Sequence, residues 1–358
     1  MPKSSLAGHV ASPALHTLLI RRKIRRQLSS ELFLPSPRRT IVALAIAATI
    51  VMTSSTLIAV PQLGIGGIFL SFLCGFLYAS LFFLGHEAGH GSILRSGLGQ
   101  YLLMSIAFIV FLLSPTLWYV WHNKVHHAHT NIETHDPDNF GTLPHYMTYK
   151  PARIIASLTP GSMNWLSILY LPIWFTAHAQ FVLWIESHRC RGFESLNRRR
   201  AISESLLMTA FWILLGWELG PWLALTVIVI PMMIANTIIM SYIATNHLLR
   251  PLVDEPDMLE SSMSVTTHPL LDLIHFNFSH HVEHHFFPSM SSKHAPRVRK
   301  ELRQHAQDRF LAPPHWAALL MVFRTPRIHD GRDALLDPRS GARVPFIEIT
   351  ESLREHDR

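Results

Sequence analysis

Long uncharged stretches alternate with short polar segments along this chain. No Asp, Glu, Lys or Arg occurs between residues 40 and 85, and Glu218 carries the only charge between residues 206 and 245. A helix that crosses a bilayer needs about 20 apolar residues. Each stretch is therefore long enough for two crossings, with turn residues in between at 61–64 and 217–221. We predict an all-α integral membrane protein with four transmembrane helices, arranged as two hairpins.

Composition and charge support a membrane protein and indicate its orientation. Charged residues make up 15% of the chain, against about 25% in a typical soluble domain. The net charge is +7, and the basic residues cluster at 21–26, 189–200 and 297–303. Basic clusters beside apolar segments are typical of the cytoplasmic membrane face, so we expect lipid contact and no nucleic-acid partner. The turns at 61–64 and 217–221 contain no Lys or Arg, as expected on the side opposite the cytoplasm. Because each hairpin returns the chain to its starting side, both termini are predicted to be cytoplasmic.

Histidines at short, regular spacings provide the candidate chemistry. Two lie four residues apart at the end of the first apolar stretch, three more follow at 122–127, and three fall at 281–285. On a helix such spacings place the rings on one face, where imidazoles suit iron, zinc, copper or nickel. Helical geometry turns adjacent rings about 100° apart, so His126 and His127 can bind different metals. The candidate metal ligands are His86, His90, His122, His126, His127, His247, His281, His284 and His285.

Two other apolar stretches, residues 98–121 and 164–185, are not expected to cross the membrane. His90 and His122 must reach the same metals, so one crossing between them would separate them. Two crossings need about 40 residues, more than the interval offers. The first stretch is therefore predicted to enter and return, or to lie along the interface. The second contains Pro172, His178 and Gln180 and is predicted to be interfacial or buried.

The three histidine clusters resemble the boxes of the membrane fatty acid desaturases, HxxxH, HxxxHH and HxxHH, in the same order. The flanking residues Asn131, Asp136, Asp138 and the Phe-Phe-Pro sequence at 286–288 also fit. The resemblance covers roughly residues 40–300. It implies a cytoplasmic, histidine-rich cap that holds a di-iron centre, which uses dioxygen to introduce a double bond into an acyl chain. The implied partners are an acyl-lipid or acyl-CoA substrate, membrane lipids and a separate electron donor of the ferredoxin or cytochrome type.

Three regions are predicted along the chain. Residues 1–39 form a loosely held, basic cytoplasmic arm, residues 40–312 the membrane desaturase domain, and residues 313–358 a polar, poorly packed tail. Ligating histidines usually donate their second N–H to a carboxylate or carbonyl. Candidates for such supporting roles are the carboxylates Glu87, Asp136, Asp138, Asp272 and Glu283, and the histidines His129, His135, His268, His275 and His280. For His178, His188 and His315 we expect ordinary packing roles.

Three other functions share parts of this pattern. A related di-iron membrane hydroxylase or ketolase, acting on lipids, alkanes or carotenoids, uses the same boxes. Residues 86–90 also spell HExxH, in which Glu87 would be the general base of a membrane zinc metalloprotease. That enzyme has no use for so many histidines. A metal transporter would place its ligands within the spans, whereas here they follow the spans.

Overall fold

The computed structural model describes residues 12–62, 64–95, 97–133, 135–139 and 141–357. Helices dominate this part of the chain, as predicted. Residues 1–11 of the predicted arm and Leu63 of the first predicted turn lie outside the described residues. In chain order the helices are α1 (Pro13–Gln27), α2 (Arg38–Ala59), α3 (Ile65–Gly89), α4 (Gly97–Phe108), α5 (Pro115–His129, π-helical over Tyr119–His126), α6 (Leu143–Thr148), α7 (Lys150–Leu158), α8 (Trp165–Arg189), α9 (Arg198–Ala224), α10 (Ile230–His247), α11 (Met258–Ser261), α12 (Pro269–Ile274), α13 (His281–Phe286), α14 (Ala295–His305), α15 (His315–Arg324) and α16 (Phe346–Asp357).

Four helical segments of the described chain are long and apolar enough to cross a membrane. They are Ser30–Ala59, Ile65–Gly89, Trp165–Arg189 and Arg198–His247. The last of these is interrupted at Gly220, whose φ of 72° and ψ of 169° are not helical. Glycine adopts a positive φ without steric penalty, so the chain breaks inside the predicted turn at 217–221. Nearly all of the segment predicted to be interfacial, 164–185, lies in α8. This helix is also long and apolar enough to cross a membrane, so its position relative to the membrane stays a prediction.

Helix α3 lies at the centre of the fold. It packs against α2, α4 and α10, and α10 packs in turn against α8. Two glycines near the end of α3 allow α4 and α5 to approach it closely. A Cβ at Gly85 would collide with Ala107 of α4, and one at Gly89 would collide with the indole of Trp118. The small residues near the end of α3 therefore bring α4 and α5 against the first histidine box.

The chain bends by 106° between Gly97–Phe111 and Pro115–His129. A bend of this size suits either a segment that enters and returns or one broken span, so the path of residues 98–121 through the membrane stays a prediction. Ser114 caps the second segment by accepting a hydrogen bond from the N–H of Leu117 at 3.0 Å, and Pro115 follows at a position where helices tolerate proline.

The buried carboxylate of Glu204, on α9, holds this bend in place. It accepts hydrogen bonds from the hydroxyl of Ser114 at 2.6 Å and from the backbone N–H of Thr116 at 3.1 Å. The Nε of Arg200 donates to the same carboxylate at 2.7 Å. Glu204 therefore ties the start of α5 to α9.

The two ends of the described part of the chain, from residue 12 and up to residue 357, pack more closely than the sequence suggested. Helix α1 contacts α14 and buries Ile20 and Ile24, so this part of the predicted loose arm is docked on the cap.

The prediction of a poorly packed tail is wrong for residues 315–357. They form α15, three short antiparallel strands and α16, with Leu335 and Leu353 buried. The strands are β1 (Ile328–Asp330), β2 (Ala334–Leu336) and β3 (Arg343–Pro345), in the order β1-β2-β3, with Leu335 opposite Val344. These buried apolar residues, spaced between many charged ones, join the main hydrophobic core, and the average polarity of the tail concealed them.

Replacing Glu204 with Ala should destabilise the protein. Ser114, Thr116 and Arg200 would lose their shared acceptor, and an unsatisfied buried donor such as the hydroxyl of Ser114 costs about 2 kcal/mol. Denaturant unfolding in detergent micelles measures the change in unfolding free energy. Glu218→Ala is the matched control, since Glu218 is an exposed acid on the same helix. Equal stability of the two variants would contradict the anchoring role of Glu204.

Candidate metal centre

All nine predicted ligand histidines converge on one region, although they come from four separate elements. His86 lies in the last turn of α3 and His90 directly follows that helix. The second box lies on α5, whose π-helical turns are a form often found at functional sites. His247 is the last residue of α10, and the third box lies on α13.

The nine rings form two groups, in each of which the candidate ligand atoms lie within 4.8 Å of one another. In the first group the Nε2 atoms of His86 and His122 are 2.9 Å apart, and those of His127 and His284 are 3.1 Å apart. This first group contains His86, His90, His122, His127 and His284.

The second group is almost completely buried. The Nε2 atom of His281 lies 2.6 Å from that of His247 and 3.0 Å from that of His285. His126 completes this group, while the adjacent His127 belongs to the first. Adjacent rings of the second box thus face different groups, as the helical geometry predicted.

The donor set fits metal ions. Imidazole nitrogens that face one another at these separations offer lone pairs to a shared centre. The buried Nε2 of His90 has no hydrogen-bond partner among the described residues. Burial, reinforced by the neighbouring histidines, lowers the pKa of His281 and His285 well below the ordinary value. Such rings are neutral at physiological pH, which is the form that binds a metal.

Two carboxylates orient the ring of His126. Its Nδ1 lies 3.1 Å from Asp136 and 3.2 Å from Asp138, as expected for a ligating histidine supported by acids. Burial alone would raise the pKa of Asp136, but His126 and the N–H groups of Asn131 and Asp138 hold it below its usual value. The Asp136 carboxylate is therefore ionised and favours an Nδ1–H tautomer, which leaves the Nε2 of His126 free for a metal.

The other three predicted carboxylates brace the scaffold instead. Glu87 pairs with Arg39 and accepts hydrogen bonds from Ser291 and Ser292, which follow the third box. It thereby links the first box to the third.

Glu283 has a corresponding role within the third box. Arg299 of α14 donates to it at 2.5 Å, and Ser264 donates to its other oxygen. Burial opposes ionisation, but Arg299 and His280 lower the pKa of Glu283 below its ordinary value. Asp272 accepts from Thr267 and Ser279.

The histidines predicted to support the ligands bond to other groups. His275 pairs with the hydroxyl of Tyr242 at 2.9 Å, His280 lies 3.0 Å from Ser279, and His129 stacks on His135. His268 accepts from the N–H of Leu270. Of the histidines expected only to pack, His178 bonds to the carbonyl of Pro137, and His315 bonds to that of Ser241.

Some residues of the site carried no signal in the sequence. The Nδ1 of His247 bonds to the backbone carbonyl of Ser261 at 3.3 Å. Every residue has a backbone carbonyl, so the sequence does not indicate which one serves as the partner. Arg39 meets Glu87 across 48 positions, a separation that no local motif covers. The stacking of Trp118 on His122, with centroids 4.5 Å apart, follows from their spacing of four on one helix and was detectable.

Comparison with known proteins agrees with this geometry. A family model described as fatty acid desaturase matches residues 63–317, which include all nine histidines. The chain belongs to the fatty acid desaturase family and is an integral membrane protein. It is similar to a sn-1 linoleoyl-lipid 6-desaturase from Synechocystis, with 24% identity over 260 residues, covering 65% of this chain and 70% of that protein.

Replacing Asp136 with Ala should weaken metal binding at the second group. His126 would lose a partner that fixes its tautomer, and changes of this kind reduce metal affinity about 10- to 100-fold. Competition with a graded series of chelators measures the affinity of the purified protein. Asp330→Ala is the control, because that acid pairs with Arg343 on the small sheet. Equal metal retention by both variants would exclude the orienting role.

Proposed function

We propose that this protein is a membrane-bound fatty acid desaturase that introduces a double bond into an acyl chain. The observation that carries the proposal is the convergence of nine histidines into two facing groups in a member of this family. The reaction removes two hydrogens from neighbouring methylenes. Together with two electrons and two protons, they reduce one dioxygen to two waters. The electrons come from a separate ferredoxin or cytochrome, and the substrate is an acyl-lipid or an acyl-CoA.

The proposed cofactor is a pair of iron ions, one for each histidine group. Iron supplies the redox chemistry that dioxygen activation requires and that zinc lacks. The first group would hold one ion through the rings of His86, His90, His122, His127 and His284. The second would hold the other through His126, His247, His281 and His285.

The surrounding residues prepare the site for this chemistry. Burial keeps the rings of His281 and His285 neutral and limits access of bulk water, which would consume a reactive intermediate. Trp118 and Phe278 contact the ring of His86 at 5.3 and 5.2 Å between centroids. Phe278 also stacks on Phe83 at 4.4 Å. These aromatic contacts fix the first group from the side of the membrane helices.

Three other functions share parts of the histidine pattern. A hydroxylase or ketolase would use the same histidines, and substrate placement would then decide the product. The metalloprotease requires Glu87 to act on a metal-bound water. Glu87 is instead occupied by Arg39, Ser291 and Ser292, so the structure offers no support for that role. A transporter needs ligands within the spans, whereas the histidines that the spans contribute, such as His86 and His247, lie at the ends of those spans.

A lipid profile tests the reaction. Expression in a host that lacks the product should yield a new unsaturated acyl chain, detected by gas chromatography with mass spectrometry. His285→Ala should abolish the product because it removes a member of the second group, whereas His315→Ala should retain it. The purified active protein should contain about two irons per chain, as the number of ligands suits. A hydroxylated product would favour the alternative enzyme, and zinc without iron would contradict the proposed centre.

We further propose two membrane hairpins, with both termini and the histidine cap in the cytoplasm. The support is the one-sided distribution of basic residues around the spans. Reporter fusions at Arg95 and Arg200 should then report the cytoplasm, and a fusion at Gly220 the opposite side. A fusion at Ser162 addresses α8. The same side for Ser162 and Arg200 supports an interfacial α8, and opposite sides would show that it crosses.

A further inference from the structure

A groove lies on the side of the protein between α4, α5 and the beginning of α9. Its volume is about 610 Å³. Apolar side chains form part of its lining, among them Leu98, Met104 and Val120, and two cations, Lys124 and Arg200, form another. None of the described residues that line it is acidic. The groove is therefore amphipathic, with a net positive charge.

Both cations are held in place by neighbouring side chains. The ammonium of Lys124 donates to the hydroxyl of Ser195 at 3.1 Å, and an ammonium has three N–H donors. Arg200 lies over the ring of Tyr101 at 4.4 Å, and Glu204 holds its Nε. The guanidinium is thus fixed at the edge of the groove, which reduces the entropy lost when it binds an anion.

The surface around the groove combines exposed apolar side chains with a basic helix start. The exposed side of α4 carries Leu98, Leu102 and Ile106, and α9 exposes Leu206 and Leu207 a short distance after its basic first turn. Exposed apolar rows on membrane helices face acyl chains, and basic residues at the start of a span lie among the headgroups. Because α4 and the start of α9 both line the groove, we expect its opening to lie at the level of the headgroups.

We propose that this groove binds an anionic phospholipid of the surrounding membrane. Lys124 and Arg200 bind the headgroup phosphate, and the apolar lining contacts the glycerol and the first methylenes of an acyl chain. Lys124 stands between His122 and His126 on α5, but its side chain is exposed and donates to Ser195. The site is therefore separate from the two histidine groups. The proposal does not depend on the reaction that the histidines perform.

Lipid retention by the full-length protein tests the site. Nanodiscs of phosphatidylcholine mixed equally with phosphatidylglycerol provide the probe, and native mass spectrometry counts the lipids that remain bound. The wild type should retain phosphatidylglycerol in preference to phosphatidylcholine. Lys124→Gln should weaken this retention about five-fold, the effect of one basic residue near a membrane surface. Ser195→Glu should weaken it in the same direction, because it places a carboxylate beside Lys124.

Arg199→Gln is the matched control. Arg199 is exposed and lies beside Arg200 on the same turn, but it does not line the groove. It should retain phosphatidylglycerol like the wild type, which separates a specific site from general attraction between charges. Two results would overturn the proposal: equal loss in Arg199→Gln and Lys124→Gln, or no preference for phosphatidylglycerol in the wild type. Size-exclusion profiles show whether each variant is folded. If Lys124→Gln misfolds, Ser195→Glu tests the same cation, because Ser195 is the partner of Lys124.

Discussion

The whole cap depends on holding nine imidazoles close together with nitrogens that face one another. Buried polar atoms without partners are costly, so the rings do not adopt this arrangement unaided. Ion pairs and hydrogen bonds hold the segments that carry the rings in position. Glu87 joins the end of α3 to the turn after α13 through Arg39, Ser291 and Ser292. Glu283 joins α13 to α14 through Arg299. Each carboxylate lies beside a box histidine in sequence but points away from the rings. The acids of the site therefore have two different roles. Asp136 and Asp138 orient the ring of His126 directly, whereas Glu87 and Glu283 fix the backbone segments that carry the rings.

Close helix packing brings the first two boxes together. The absence of a side chain at Gly89 leaves room for the indole of Trp118, which stacks on His122 and contacts His86. This arrangement couples a membrane-helix contact to the geometry of the site. A glycine within HEAGH is thus part of the packing around the metal centre, although nothing in the motif itself requires a small residue there.

The parts that could be predicted from sequence are those with a local physical signal. Uncharged stretches indicated the membrane helices, and the spacing of histidines identified eight of the nine members of the two groups, including the divergence of His126 and His127. His247 was found because it follows an apolar stretch on the same side as the boxes. The partners of Glu87 and His247 depend on long-range contacts and backbone atoms, which residue types do not reveal. The tail from residue 315 was predicted wrongly because average polarity concealed Val322, Leu335, Ile349 and Leu353, which lie apart in sequence and are all buried in the main hydrophobic core.

The bend before α5 connects these features. If α4 and α5 formed one straight helix, the second box would lie far from the first, since each residue advances a helix by 1.5 Å. The bend of 106° turns α5 back toward the end of α3, and Glu204 fixes it from α9. The same turn separates α4 from the beginning of α9 and leaves the amphipathic groove between them, with Arg200 held at its edge by Glu204. One buried acid in a membrane helix therefore contributes to two surfaces: an inner one that presents histidines to each other, and an outer one that presents cations to the lipid.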